Sequence, residues 1–169
     1  MIIARTNRLE LRHIDSDDAA FILGLLNDPA FLQYVGDNQV RNLDSAKNYI
    51  LEGPVTSYQI FGYGLYLVEL TQTGKAIGIC GLLKRDFLDH AELGFALMPE
   101  YCGYGYAFES AQATVKLALD RFGLARIIAI TATDNARSIK ILEKLGMGFD
   151  KRIELPGADK QVNLYSCSL

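Results

Sequence analysis

The sequence predicts an α+β fold of three αβα layers, with helices packed on a mixed central β-sheet, and three features carry that expectation. Strand-like segments follow one another between residues 62 and 97, joined by short polar connections; a long helical period begins at residue 105; and a β-branched run, another helix and two more strand-like segments complete the 169-residue chain. Strands joined by short turns pair antiparallel, whereas a strand–helix–strand order permits parallel neighbours, so the sheet is mixed.

Near the N-terminus, Leu9, Leu11 and Ile14 alternate with Glu10 and Arg12 as in a half-buried strand, and Asp15–Asp18 offer side chains that cap a helix start. Ala19, Ile22, Leu23 and Leu26 then recur at helical spacing until Asn27-Asp28-Pro29 interrupts them. Phe31–Val35 forms a further short helix, and Leu43–Leu51 another that Gly53-Pro54 is expected to terminate. From Tyr63 to Leu70 the pattern becomes strand-like and mostly apolar. Thr71–Lys75 has turn chemistry, and Ala76–Leu83 reads as the return strand of a hairpin, its glycines marking a bulge or a close backbone approach. After a loop at Asp86–His90, Ala91–Leu97 adds a third antiparallel strand ahead of Pro99. The helix from Gly105 carries Ala107, Ala111, Thr114, Val115, Ala118, Leu119 and Phe122 on a broad apolar face and stops at Gly123. Arg126–Ala132 is the β-branched run of a covered strand. Ala136–Lys144 is the last helix, and strands at Phe149–Leu155 and Gln161–Ser168 flank a turn at Pro156–Asp159.

No repeat, linker or low-complexity tract divides residues 1–169, so one domain is expected. A chain of roughly 150 residues buries about 68–70% of its unfolded surface, enough for a core without staples. The formal charge of −3, with no basic block, gives no footprint for nucleic acid or an anionic membrane surface. Arg5, Arg8, Arg12 and the Lys84-Arg85 pair read as solvated surface. Three scattered cysteines, Cys80, Cys102 and Cys167, form no disulfide framework and suggest a reducing, cytoplasmic compartment; Cys80 and Cys167 read as core. Residues 1–6 lack the pattern of a secretion signal, and no apolar run approaches the roughly 18 residues of a membrane span. His13 and His90 are the only histidines and form no Cys/His/Asp cluster at ligand spacing, so no catalytic metal is expected.

The sharpest local feature is Pro99–Ala107, which joins a strand to the long helix and includes Cys102-Gly103-Tyr104-Gly105. Backbone amides in such a turn, together with those of the first helical turn, form an anion cradle suited to a pyrophosphate without a side-chain cation. The plainer alternative is a tight turn that needs glycine. The segment lacks the Lys-Ser or Lys-Thr ending of a nucleotidase phosphate loop, and it lies in mid-chain after antiparallel strands, unlike the first unit of a dinucleotide fold.

This segment resembles the acyl-CoA pyrophosphate loop of the GNAT (GCN5-related N-acetyltransferase) superfamily. Thr6–Arg12 is similar to the opening of the RimJ/RimL-like branch of ribosomal-protein N-terminal acetyltransferases. Glu92–Phe95 resembles the central acidic strand, and Thr133–Ser138 with Glu143–Met147 resembles the terminal cofactor-binding segment. The resemblance implies a sheet whose parallel strands splay, and acetyl-CoA as cosubstrate. In that scheme Phe95, Ala96 and Leu97 border the pantetheine arm, and backbone groups of Cys102, Gly103, Tyr104, Gly105, Tyr106 and Ala107 hold the phosphates. Asn135 hydrogen-bonds cofactor polar groups. Glu100 stands where the family commonly has Gln or Arg, which removes a side-chain phosphate contact and leaves Tyr101, Tyr104 and Tyr106 to shape the surface.

The implied activity is direct transfer of acetyl from acetyl-CoA to a primary amine, either a protein N-terminal α-amine or a small-molecule amine; the alternative is a catalytically silent acyl-CoA-binding or interaction domain. Glu92 is the candidate base, its alternative role a solvated strand residue or a structural salt-bridge partner. Many superfamily members place a thiol-protonating Tyr where this chain has Leu142, so Ser138 is the substitute candidate, its alternative role helix capping. Tyr66 and Tyr106 are further donor candidates. His90 either tunes a relay to Glu92 or sits at a loop edge. Phe31, Tyr34, Tyr58 and Phe61 either wall the acceptor cleft or fill the core, and homodimers are common in the superfamily.

Overall fold

The computed structural model describes residues 1–169. Eight strands form one sheet: β1 (Ile2–Arg5), β2 (Leu9–His13), β3 (Leu65–Leu70), β4 (Ala76–Leu83), β5 (Ala91–Leu97), β6 (Arg126–Ala132), β7 (Gly148–Leu155) and β8 (Lys160–Ser168). Their spatial order is β1-β2-β3-β4-β5-β6-β8-β7, and every neighbouring pair is antiparallel except β5–β6. Six helices flank it: α1 (Ala19–Leu26), α2 (Pro29–Tyr34), α3 (Leu43–Ile50), α4 (Thr56–Phe61), α5 (Tyr106–Asp120) and α6 (Ala136–Lys144).

Strand alternation sorts the core onto two faces. Tyr66, Val68, Ile77, Cys80, Leu82 and Leu93 turn toward α5 and α6 and pack with Ala111, Ala118 and Leu142. Leu65, Leu67 and Ile79 turn the other way, onto Ile22, Leu26, Phe31, Ala46 and Ile50 of α1–α3. The glycines of β4 mark close approach. A Cβ on Gly81 would stand 2.1 Å from the Gly64 carbonyl oxygen, and one on Gly78 would stand 2.3 Å from that of Ala96.

Two local expectations change. Gly53-Pro54 does not end the helical segment: the chain makes one wide π-type turn over Leu51–Val55 and continues as α4. Proline has no amide hydrogen to satisfy, and the wide turn relieves its clash with the preceding turn; the Thr56 hydroxyl donates to the Leu51 carbonyl at 2.7 Å. Strand β1 has no counterpart in the sequence reading, because four half-exposed residues at a sheet edge show no alternation.

The feature that positions the site is the β5–β6 pair. It is in register only at Ala91–Ile127 and Glu92–Ile128, so beyond Glu92 the two parallel strands separate. No helix is long and apolar enough to cross a membrane.

Candidate active site

A cavity of about 550 Å³ occupies the separation. Its floor is Glu92 and Phe95–Ala96 of β5 and Ala129–Ala132 of β6; Asn135, Ser138 and Leu142 close it on the α6 side, and Phe31, Tyr34, Ile60 and Phe61 wall the opposite mouth. The predicted residues Glu92, Phe95, Ala96, Asn135 and Ser138 therefore converge on one space from segments that lie up to 46 positions apart in the chain. Leu97 turns instead into the core against α5, and Cys102–Ala107 lie outside the cavity in their own loop.

That loop has the features an anionic cosubstrate needs. Gly103 and Gly105 adopt φ of +88° and +85°, which places successive amides on one side of a turn leading into α5. The amides of Gly103 through Phe108 donate to no protein acceptor; the first intrahelical bond is from Glu109 N–H to the Gly105 carbonyl, 3.0 Å. Six consecutive free donors at the positive end of a 15-residue helix fit a pyrophosphate. Cys102 points its Sγ toward the Met98 carbonyl at 3.8 Å.

Glu92 is 3% exposed. Arg85, in the connection after β4, donates Nε to Glu92 Oε1 at 2.5 Å and Nη2 to Oε2 at 3.3 Å. Burial pushes the Glu92 carboxyl above the ordinary glutamate value, and the charge and hydrogen bonds of Arg85 pull it only partly back. The result is a desolvated carboxylate with raised proton affinity facing the cavity, as a general base requires. Asn135 caps α6, accepting the Ser138 amide at 3.3 Å through Oδ1, while its Nδ2 and the Ser138 hydroxyl have no protein partner. Burial overturns the reading of Glu92 as a solvated strand residue, and the other two meet in one side chain: it lines the cavity and it is ion-paired.

Other candidates move away from the site. Tyr66 is fully buried and stacks with His13 and Tyr58, whose ring centroids lie 5.9 and 5.6 Å away, which removes it as a thiol donor. Tyr58 itself is core: it accepts the Ile14 amide at 3.1 Å and donates to the Leu65 carbonyl. Tyr106 lies under Arg8, outside the cavity. His90 is exposed one residue before β5 and does not line the cavity, so it sits at the loop edge. The arginines expected as solvated surface are ion-paired: Arg5 with Glu10, Arg8 with Glu109, Arg12 with both Asp18 and Glu69, and Arg85 with Glu92. The partners lie from five positions away for Arg5 to 101 for Arg8, none at the i,i+3 or i,i+4 spacing that local charge patterning reads.

A splayed parallel pair, a cavity through the splay and an amide-lined helix start define an acyl-CoA-type transferase site. The family model described as the acetyltransferase (GNAT) domain matches residues 8–148. Over 173 residues the chain is 30% identical to the uncharacterized N-acetyltransferase YoaA of Bacillus subtilis (strain 168), covering 97% of this chain and 95% of that one. An acetyltransferase structure from Agrobacterium tumefaciens str. C58 superposes with a TM-score of 0.82 at 25% identity, over 99% of this chain and 94% of the other. RimL, a ribosomal L7/L12 α-N-protein acetyltransferase in complex with coenzyme A, gives a TM-score of 0.82 at 20% identity over 100% and 98%, a likeness of fold. The chain belongs to the GNAT acetyltransferase family and is an acetyl-CoA-dependent N-acetyltransferase.

Proposed function

We propose that this enzyme transfers acetyl directly to a primary amine that enters through the α2–α4 mouth and carries an apolar group beside the amine, either at a peptide or protein N-terminus or on a small molecule. The observation that carries the reading is the convergence of Glu92 and Ser138, from β5 and α6, on the cavity at the splay. The Gly103–Phe108 amides hold the phosphates, and Phe95 and Ala96 border the arm between β5 and β6. Bound acetyl-CoA supplies an activated acetyl thioester. Glu92, directly or through water, takes a proton from the incoming ammonium so that a neutral amine attacks the thioester carbonyl. The Ser138 hydroxyl, free of protein partners, protonates or orients water toward the departing sulfur. Cys102 lies outside the cavity, which supports direct transfer over an acyl-cysteine route.

The acceptor class follows from the lining. Phe31, Tyr34, Val35, Ile60 and Phe61 make the mouth apolar, and Lys84, Arg85 and Lys160 outnumber Glu52 and Glu92 among its charges. Such a lining disfavours polycations such as polyamines and aminoglycosides. The test is acetyl-CoA consumption with mass spectrometry of the product across N-terminal peptides, apolar amines, polyamines and aminoglycosides. Acetylation confined to the apolar-flanked amines is expected. A preference for polycations refutes the acceptor reading, and coenzyme A binding without acetylation of any amine refutes the catalytic one.

A further inference from the structure

The loop of free amides is fastened by a residue from near the N-terminus, 96 positions earlier in the chain. Arg8, in the β1–β2 connection, donates Nη1 to the Tyr104 carbonyl at 3.0 Å and Nε to Glu109 Oε2 at 2.7 Å. Its Nη2 lies 2.6 Å from the same carboxylate oxygen, and its guanidinium carbon lies 4.5 Å from the centroid of the Tyr106 ring. The second oxygen of Glu109 accepts the Arg8 amide at 3.0 Å and the Thr6 hydroxyl at 2.5 Å. Burial works against the Glu109 charge, yet these hydrogen bonds outweigh it and hold the carboxyl below its ordinary value, so the clamp is charged at neutral pH.

The consequence is directional. In a planar trans peptide the carbonyl and the following amide point opposite ways. Anchoring the Tyr104 carbonyl on Arg8 therefore turns the Gly105 amide away from the β1–β2 connection. No other protein group holds that peptide, since Tyr104 is 62% exposed and its amide and that of Gly105 are unpaired. A Cβ on Gly105 would meet Arg8 Nη2 at 3.3 Å, so the glycine permits both the left-handed backbone and the close seat of the guanidinium.

We propose that Arg8 is a positioning residue for cosubstrate binding, which presets the Gly103–Phe108 amides for a nucleotide pyrophosphate by holding the Tyr104 carbonyl and the first turn of α5. This rests on the reading of that loop as the pyrophosphate site. The test is calorimetric binding of coenzyme A and of pantetheine, which lacks the phosphates, to the full-length wild type, Arg8→Gln and Arg8→Lys. Wild type should bind coenzyme A more tightly than pantetheine. Arg8→Gln should lose roughly tenfold in coenzyme A affinity, the scale of a charge-assisted hydrogen bond, with pantetheine affinity unchanged. Arg8→Lys keeps a cation but not the fork, and should fall between them; it carries the test if Arg8→Gln fails to fold. Retained coenzyme A affinity in the variants, or equal weakening toward both ligands, overturns the proposal. A wild type that does not distinguish the two ligands overturns the pyrophosphate reading of the loop, and the role of Arg8 with it.

Discussion

Replacing Glu92 with Gln should make the protein more stable and much less active. The side chain is 4% exposed, its one charged partner is the more exposed Arg85, and burial outweighs that partner in setting its proton affinity. A carboxyl whose folded pKa is raised binds more protons folded than unfolded, so stability falls as pH rises from the ordinary glutamate value through the raised one, and the deficit is complete above it. At neutral pH the wild type therefore carries an ionised carboxylate that the fold disfavours. Gln keeps the shape without the charge, and Arg85, at 39% side-chain exposure, can turn to water. Replacing both members of a buried ion pair by apolar groups is neutral or stabilises by about 1–4 kcal/mol, and removing one member is costly only where the charge left behind stays buried; with Arg85 able to reach water, the expected gain for Gln is at the low end, about 1 kcal/mol. For a chain of this length that corresponds to a Tm increase of about 2–4 °C. Thermal melts of both proteins between pH 4 and 8, beside steady-state acetyl transfer, make the assay. The Tm gain should be present at pH 7–8 and vanish at acid pH, while kcat falls by about 10²-fold or more. A lower Tm at neutral pH would make Glu92 chiefly a structural anchor for Arg85, and an undiminished kcat would remove it as the base.

Further outcomes follow from the same site. The acid limb of the rate profile should lie above the ordinary glutamate value and disappear in Glu92→Gln, which kcat/KM measured against pH will check with an acceptor of known amine pKa. Ser138→Ala should lower kcat by about 10²-fold if the hydroxyl serves the leaving sulfur, and wild-type turnover would assign that proton elsewhere. Asn135→Asp retains an oxygen to cap α6 but loses the free Nδ2, so it should keep Tm and weaken coenzyme A binding, whereas Asn135→Ala should also lose about 1 kcal/mol of stability in thermal melts. Gly81→Ala sets a Cβ 2.1 Å from the Gly64 carbonyl oxygen, just before β3, and should cost about 3 kcal/mol or more, read by denaturant unfolding.

Much of this molecule was legible in its sequence because the signals were local. Period-two and helical patterns located seven of the eight strands and the long helix α5, and Gly103 and Gly105 marked the turn into it. What failed was local evidence applied to non-local facts. Gly53-Pro54 resembles a helix stop until a wide turn and a hydroxyl satisfy the backbone around it. Tyr66 resembles a proton donor until strand alternation turns it into the core on the α5 face. Arg8, Arg12 and Arg85 resemble solvated surface until the fold supplies their carboxylates.

The sequence by itself determined the α+β class and the glycine turn into the long helix, since turn chemistry and periodicity are properties of neighbouring residues; Glu92 and Ser138 became candidates through the family resemblance. Tertiary structure alone decided that β5 and β6 part beyond Glu92, that a cavity opens there, that Arg85 moderates the carboxylate and that Arg8 fastens the loop. Each of these depends on groups brought together across the chain, and electrostatic and packing energies depend on separation in space, which residue order does not encode locally.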